Sequence, residues 1–469
     1  MIPMLGFIPP APPPRYVAPN AKPSLAGYLR YFQIMSRNPL EVFTESHFAT
    51  FDHHAHIFGR PYAILHDPES IRHYLVSNAE NYQLTELRKA MFEPVIGNGL
   101  LIAEGELWKR TRKALTPVFT PRHVAGFGPT MVEVCERHRA GLMANAGDTI
   151  SMSKQMLQLA LDVLIACLFS DDANLDGEKF SDDLDLLLQL AGMPHPLDLM
   201  GAPKWAPRVG RAKARRVVAD LRQQVWSVLR SRRKLMDGEG VHHRDFLSLL
   251  LAAGVDEGIP LSDDEIIDNL LTFLAAGHET TARTLTWAFY LLSQSPDVTA
   301  RVIDEVAGAG LDAIEPHKWA PQLPYLTAVI KETMRLYPAA SMFTRGAINE
   351  DVIGGQKIVP GTEVMTSPWV LHRHRKLWDA PDMFDPERFF GDAEAKIDRF
   401  AYVPFGKGPR VCIGAAFSLQ EMIIALAILV PEISFAHIGG AAPQPVMRIT
   451  IQPSTPVEMR IEKRNGAVH

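Results

Sequence analysis

The chain has 469 residues, of which 47% are hydrophobic, so it can bury a large core as one oversized domain or as two or three ordinary ones. Its formal net charge of −5 gives no reason to expect nucleic acid or a strongly anionic membrane surface as a partner. The cysteines Cys135, Cys167 and Cys412 form an odd set without metal-finger spacing, which favours a reducing compartment and a cytoplasmic location.

Residues 1–23 are predicted to form a proline-rich arm. Eight prolines interrupt this apolar stretch, and no lysine or arginine precedes it, so neither a secretory signal nor a membrane span is expected here. The other apolar run, residues 422–430, is too short to cross a bilayer. No repeat and no Gly/Ser linker divides residues 24–469, which are therefore predicted to form a single domain without a membrane span.

Helices alternate with a few short strands along the rest of the chain, so the predicted fold is mainly α with a minor β-sheet region. Helices are predicted at residues 104–119, 128–144, 154–170, 177–192, 208–236, 244–253, 263–294, 297–308, 324–337 and 415–429. Strands are predicted at residues 61–66, in a hairpin at 352–359, and in a hairpin pairing 447–451 with 457–461 across a Pro-Ser-Thr-Pro tip.

The helix at residues 104–119 carries Trp108 and Arg112 at the i, i+4 spacing, so the two side chains lie one above the other on one face. Taken alone, Arg112 reads as a solvated cation. Lys109, Arg110 and Lys113 add positive charge to the same helix. This charge suits either the docking of an acidic protein or an ordinary solvated helix face.

The longest predicted helix starts at a Ser-Asp-Asp-Glu capping box, residues 262–265, and spans about 30 residues, or ~45 Å. Its apolar middle ends in a small-residue notch, Ala276 and Gly277, followed by Glu279 and Thr280. A glycine inside a helix costs about 1 kcal/mol, so the notch calls for an explanation such as space for bound oxygen. The alternative is a kinked buried helix whose threonines bond back to carbonyl groups.

Two further patterns follow this helix in the chain. Glu332 and Arg335 are at the i, i+3 spacing of an ion pair, and Arg388 in a Pro-Glu-Arg-Phe segment offers a second arginine. An exposed pair of this kind contributes only ~0–1 kcal/mol to stability. The pair is informative here because of its position in the chain. Arg345 begins a predicted strand and reads, in isolation, as another solvated cation.

Residues 405–414, Phe-Gly-Lys-Gly-Pro-Arg-Val-Cys-Ile-Gly, frame a single cysteine and run directly into an apolar helix. The helix that follows Cys412 supplies free N–H groups and a positive dipole end, which favour a thiolate ligand. Gly406 permits tight turning, and Gly414 lets the helix approach a flat ligand. Arg410 is placed to meet a carboxylate, and Phe405 to shield the sulfur from water. A buried cysteine in an ordinary turn is the alternative.

This loop resembles, position for position, the haem-binding loop of the cytochromes P450, in which the cysteine is the proximal iron ligand. Three other patterns resemble that family in the right order: Trp-x-x-x-Arg at residue 108, Ala-Gly-x-Glu-Thr at residue 276 and Glu-x-x-Arg at residue 332. The resemblance covers nearly the whole chain and implies a soluble, bacterial-type member with the cytochrome P450 fold over residues 24–469. It also implies haem b, bound without covalent links.

The resemblance also implies a role for each candidate. Cys412 would ligate the iron, and Glu279 with Thr280 would deliver protons while oxygen is activated. Glu332 and Arg335 would be structural. The residues implied to surround the haem and its propionates are Phe405, Gly406, Arg410, Gly414, Trp108, Arg112, Arg345, Ala276 and Gly277.

The implied reaction inserts one atom of O₂ into a C–H bond or a double bond of a hydrophobic small molecule. Because the chain carries no dinucleotide fingerprint, flavin domain or iron–sulfur cysteine set, a separate ferredoxin or flavoprotein reductase would supply the electrons. Two alternatives stay open: a P450-like peroxygenase, isomerase or dehydratase that needs no reductase, and a non-catalytic haem-thiolate binding or sensor protein.

Overall fold

The structure is a computed structural model that describes residues 7–11, 25–57, 59–170, 211–238, 245–253 and 260–464, with isolated positions between 180 and 258. Most of the predicted helix at 177–192 and most of the arm at 1–23 lie outside the described residues. Residues 7–11 pack against the body of the protein. The backbone N–H of Phe384 donates to the Phe7 carbonyl at 2.9 Å, and the Tyr337 hydroxyl donates to the Pro10 carbonyl at 3.1 Å.

Helices make up most of the described chain, and the long ones match the sequence prediction within a few residues. The helices are α1 (Leu25–Arg37), α2 (Glu45–Ala49), α3 (Pro68–Arg72), α4 (Glu86–Ile96), α5 (Gly105–Leu115), α6 (Pro121–Gly126), α7 (Gly128–Ala144), α8 (Met152–Phe169), α9 (Arg211–Gly238), α10 (Phe246–Ala252), α11 (Asp263–Ser293), α12 (Pro296–Gly308), α13 (Trp319–Gln322), α14 (Pro324–Leu336), α15 (Pro368–Leu371) and α16 (Ala415–Glu432). The prediction missed α1 and α4 and the short helices α2, α6, α13 and α15.

The capping box predicted for α11 is present. The Ser262 hydroxyl accepts from the Glu265 N–H at 3.3 Å, and the Glu265 carboxylate accepts from the Ser262 N–H at 2.8 Å. These bonds satisfy two of the N–H groups that a helix start leaves unpaired. Pro296 begins α12, where its missing N–H costs nothing.

The strands in the described part of the chain form one larger sheet and three small ones. They are β1 (Asp52–Ile57), β2 (Arg60–Leu65), β3 (Tyr82–Gln83), β4 (Thr149–Ser151), β5 (Phe343–Ala347), β6 (Asp351–Ile353), β7 (Gln356–Ile358), β8 (Glu363–Thr366), β9 (Ile433–His437), β10 (Pro445–Met447), β11 (Ile451–Pro453) and β12 (Glu458–Lys463). The larger sheet has the order β1-β2-β8-β5-β3, and the predicted hairpin near residue 355 is confirmed as β6–β7.

The predicted C-terminal hairpin is wrong. β10 pairs with β11, and residues 448–450 form the tip of that hairpin. β12 lies instead between β4 and β9. Alternating residues indicate a strand, but they do not reveal a partner that is distant in sequence.

Helix α11 runs through the main hydrophobic core and packs against α8, α14 and α16. It therefore brings residues 276–280 close to the helix that begins just after Cys412. Helices α8 and α16 are long and apolar enough to cross a membrane, but 61% of the apolar window of each is buried in the fold. The core accounts for that apolar character, so the described residues contain no clear membrane span.

Candidate active site

The loop before α16 is closed by backbone bonds and by glycines in unusual conformations. The Cys412 N–H donates to the Phe405 carbonyl at 2.9 Å. Gly406 has a φ of +71°, which favours glycine. Gly408 has a φ of +76°, and a Cβ there would lie 1.8 Å from the Leu75 carbonyl oxygen. The loop therefore depends on glycine both for its turn and for its contact with the residues around Leu75.

The thiol of Cys412 is accessible to solvent, yet burial raises its pKa because the surrounding protein desolvates it. An N–H bond from Gly414 and the charge of Arg112 act in the opposite direction and favour the thiolate. An accessible side chain that the surrounding protein nevertheless desolvates is typical of a group that lines a cavity rather than the outer surface. A Cβ on Gly414 would meet only Phe119, at 4.0 Å, so packing within the protein does not require glycine there.

Helix α11 is mostly buried, but Ala276 is exposed and Thr280 is partly exposed. An exposed residue in the middle of a core helix indicates that Ala276 also borders an internal cavity. Gly277 points elsewhere, because a Cβ on it would come within 3.1 Å of Leu164 in α8. The predicted notch therefore divides: Ala276 borders the cavity, and Gly277 allows two helices to approach. The Thr280 hydroxyl donates to the Ala276 carbonyl at 2.7 Å, as the alternative interpretation expected.

Glu279 is only 6% exposed and is held from two sides. Its Oε1 accepts from the Thr450 hydroxyl at 2.9 Å and lies 3.5 Å from Nε of Arg283. Its Oε2 is buried and has no hydrogen-bond partner among the described residues. The sequence did not identify Thr450, because Thr450 lies 171 positions beyond Glu279. Its segment was predicted to be a strand, whereas the structure places it at the tip of the β10–β11 hairpin.

Four arginines come together near the cysteine loop. The Arg410 guanidinium lies over the Trp108 ring, 4.6 Å from its centroid, and Nη2 donates to the Ala103 carbonyl at 2.8 Å. Burial lowers the pKa of Arg410 to about 10, and the charges of Arg345 and Arg112 act in the same direction. Arg345, Arg112 and Arg410 therefore lie close enough together for their charges to interact.

The fourth member, Arg88 in α4, was not foreseen. Burial lowers its pKa to about 9, helped by the charges of Arg345 and Arg410, and its Nε has no partner among the described residues. Its signal in the sequence was weak, since the helix that carries it was not predicted. Glu104 opposes this charge, but it is already engaged by the Lys89 ammonium at 2.5 Å.

These residues fit haem b. A cluster of desolvated arginines without a matching set of carboxylates has the charge needed to bind a dianion, and haem carries two propionates. The Cys412 thiol, with donors that favour its thiolate, has the chemistry of an iron ligand. Packing within the protein does not explain why residue 414 is a glycine. The missing side chain of Gly414 leaves space beside that thiol.

The ion pair that the i, i+3 spacing of Glu332 and Arg335 predicted is present, and it is buried. Both side chains are fully buried, and Arg335 binds the carboxylate with two bonds of 2.7 Å. Nε of Arg388 lies 3.6 Å from the same carboxylate. Nη1 of Arg335 also donates to the carbonyls of His372 and Pro381. The pair thereby connects α14 to the segment after α15.

The positive face of α5 is smaller than the sequence suggested. Arg110 forms an ion pair with Glu265 at the start of α11. Lys109 is largely exposed and pairs with Glu106 at 3.0 Å. Arg110 therefore ties α5 to α11 and is not available to a docking protein.

Comparison with known proteins agrees with these features. A family model described as cytochrome P450 matches residues 22–459. Cyclooctatin synthase of Streptomyces melanosporofaciens is 33% identical, covering 93% of this chain and 94% of that protein. Cyclooctat-9-en-7-ol 5-monooxygenase of the same organism is 31% identical, covering 89% of this chain and 90% of that protein. The chloroplastic protein LUTEIN DEFICIENT 5 of Arabidopsis thaliana is 30% identical, covering 87% of this chain and 71% of that protein.

The fold is also that of a solved structure. The crystal structure of the cytochrome P450DA heme domain superposes with a TM-score of 0.78, at 24% identity and with 98% of each chain covered. At that identity the likeness establishes the fold alone. The family model and the relatives add the haem cofactor and the class of oxidoreductase. The chain belongs to the cytochrome P450 family of haem-thiolate monooxygenases.

Proposed function

We propose that this protein hydroxylates or epoxidises a hydrophobic small molecule, using O₂ and electrons from a separate redox protein. Two relatives are named for cyclooctatin and for cyclooctat-9-en-7-ol, so compounds of that kind are the first to screen. An apolar substrate is supported by Phe273, a partly buried apolar residue that precedes Ala276 by three positions in α11.

The proposed roles follow from the environment of each residue. Cys412 would ligate the iron, and Arg88, Arg112, Arg345 and Arg410 would bind the propionates. The remaining proposed haem neighbours are Trp108, Ala276, Phe405, Gly406 and Gly414, whereas Gly277 faces Leu164 in α8 and is no longer proposed as one. When bound, haem supplies the capacity to activate O₂, helped by electron donation from the thiolate.

Two adjacent residues of α11 are the proposed route for proton delivery. Glu279 is buried with one free oxygen, and the Thr280 hydroxyl borders the proposed oxygen site. We propose that Glu279 takes up protons and Thr280 passes them towards that site. The hydrogen bond that the Thr280 hydroxyl donates to the Ala276 carbonyl orients this hydroxyl and leaves its oxygen lone pairs available as acceptors.

We also propose a soluble, bacterial-type enzyme located in the cytoplasm. Two Streptomyces relatives support this class, although relatives from a plant, an insect and human are of similar identity. A ferredoxin or a flavoprotein reductase would be the electron donor. We further propose that residues 24–469 form one domain, preceded by the arm at 1–23; the family match over residues 22–459 supports that division.

The environment of Cys412, accessible yet desolvated and close to a cluster of arginines, carries this proposal. The test is a carbon monoxide difference spectrum of the reduced protein. We expect the band of thiolate-ligated haem in the wild type and its loss in Cys412→His. A wild-type spectrum typical of histidine-ligated haem would contradict the proposal.

A peroxygenase remains the second candidate, and the source of oxidising equivalents distinguishes it. We expect product from O₂ and NADPH with surrogate ferredoxin and reductase, and much less from hydrogen peroxide alone. The reverse result would identify a peroxygenase. Haem binding without turnover under either condition would instead favour a sensor.

A further inference from the structure

The hairpin tip at residues 448–450 reaches the acid of α11. The Thr450 hydroxyl, in a residue only 2% exposed, donates to Oε1 of Glu279 at 2.9 Å. Both groups are buried, so this hydrogen bond is shielded from competing water. A hydroxyl that donates to a carboxylate in such surroundings forms one of the stronger neutral–ionic bonds available in proteins.

Two anchors hold Thr450 in this position. The next residue, Ile451, accepts from the indole N–H of Trp287 at 3.1 Å and donates to the Ala339 carbonyl at 3.3 Å. Trp287 belongs to α11, two turns beyond Glu279. The tip is also closed internally, because the Arg448 N–H donates to the Thr450 carbonyl at 2.9 Å. The hairpin is therefore fixed to the same helix that carries the acid.

The two oxygens of Glu279 are not equivalent. Oε1 takes the bond from Thr450 and is the oxygen nearest to Arg283, whereas Oε2 is buried without a partner among the described residues. An unpaired buried carboxylate oxygen is costly, so its retention points to a use. Rotation of the carboxylate would exchange the two oxygens, and the bond from Thr450 opposes that rotation.

We propose that Thr450 is a positioning residue for proton delivery: its hydroxyl holds Oε1 of Glu279 so that Oε2 remains free to take up and release protons. This inference rests on the proposed function. In it, Thr450 acts through Glu279 and contacts neither substrate nor haem. Each turnover needs two protons, so the step occurs twice: Oε2 accepts one proton from a water molecule, which regains a proton from solvent, and releases one proton towards Thr280. The carboxylate is thereby regenerated, and Glu279 exchanges no electrons.

The first test measures the interaction itself, without turnover. Urea unfolding of the haem-loaded protein is compared for the wild type, Thr450→Val, Glu279→Ala and the double variant. We expect Thr450→Val to change the unfolding equilibrium constant about five- to tenfold in the wild type, and to change it little once Glu279 is absent. Additive effects would overturn the proposal.

The second test measures proton delivery. With NADPH, surrogate ferredoxin and reductase, and no added substrate, we expect Thr450→Val to slow oxygen consumption and to raise its solvent deuterium isotope effect about twofold. Thr450→Ser should restore the wild-type values, since it keeps the hydroxyl. Thr286→Val is the matched control, because Thr286 is a buried threonine of α11 whose hydroxyl donates to the Ala282 carbonyl of its own helix.

An isotope effect that is the same in Thr450→Val and the wild type, or a loss of equal size in Thr286→Val, would overturn the role of Thr450. Thr450→Ala replaces the valine variant should that protein not fold. Failure of the wild type to consume oxygen, despite a thiolate-type carbon monoxide spectrum, would count against the proposed function. The unfolding cycle would still decide whether Thr450 holds Glu279.

Discussion

Three thiols in this protein share a chemistry but not an environment. Cys135 and Cys167 are fully enclosed in the core, where burial raises the pKa of each. Burial also raises the pKa of Cys412, but its thiol is accessible and a neighbouring N–H and Arg112 favour its thiolate. Accessibility therefore separates a reactive thiol from two inert ones.

We expect one fast-reacting thiol in the folded, haem-free protein and three after unfolding, because only Cys412 is accessible. Titration with DTNB measures this number, and loading with haem should abolish the fast phase. Cys412→Ser should remove that phase, whereas Cys135→Ser, the control, should keep it. A fast phase that persists in Cys412→Ser would contradict the assignment.

In the haem-free protein, the desolvated positive charges of the arginine cluster should lower the stability of the fold. The same charges should bind the haem propionates. Arg88→Met removes one of several desolvated positive charges, so we expect the haem-free protein to resist urea better. Haem, in contrast, should dissociate about tenfold faster, since a charge-assisted bond is lost. Transfer of haem to apomyoglobin measures the second effect.

Arg137→Gln is the control for Arg88→Met, because Arg137 is exposed on α7 and lies outside the cluster. It should leave both the urea midpoint and the rate of haem loss unchanged. Slower haem loss in Arg88→Met, or loss at the wild-type rate, would show that Arg88 does not contact the propionates.

Among the elements, α14 is joined to the segment after α15 by one ion pair. The exposed fraction of both Glu332 and Arg335 is zero, and Arg335 also binds two carbonyl groups. The i, i+3 spacing predicted this pair, but sequence could not tell it from a surface pair. Burial, which depends on distant residues, decides its contribution.

Arg335→Met should therefore lower the free energy of unfolding by about 3–5 kcal/mol, because it leaves Glu332 buried without its main counter-charge. Arg72→Met is the matched control, since Arg72 pairs with Glu69 at the same spacing but on the surface. There the loss should be about 0–1 kcal/mol. Denaturant unfolding measures both values, and equal losses would contradict the argument.

At the scale of the whole molecule, the interior holds several neutral histidines. His66, His278 and His372 are fully buried. Desolvation lowers the pKa of His278 to about 4 and that of His372 to about 3, and it lowers the pKa of His66 well below its usual value. Such groups are neutral in the folded protein where they would be charged in the unfolded chain.

Stability should therefore fall on acidification from pH ~6.5 towards pH ~4, because the unfolded chain then binds protons that the folded protein does not. Each histidine contributes a slope of about 1.4 kcal/mol per pH unit in that window, and nothing above it. Urea unfolding at several pH values measures the slope. His278→Gln should reduce the slope by the contribution of one histidine, about 1.4 kcal/mol per pH unit. His54→Gln, at an exposed position, should leave the slope unchanged. A stability that rises as the pH falls would contradict this account.

Sequence alone determined the features that depend on neighbouring residues: the long helices with their caps, the hairpin β6–β7, the cysteine loop and the family resemblance. These patterns are local, so periodicity and turn residues suffice to read them. Only the tertiary structure decided which distant groups meet. It brought Arg88 to the arginine cluster, Thr450 to Glu279 and Gly277 to Leu164, and it placed β12 between β4 and β9. Contacts across more than a hundred residues are set by how the elements pack, and no local pattern records them.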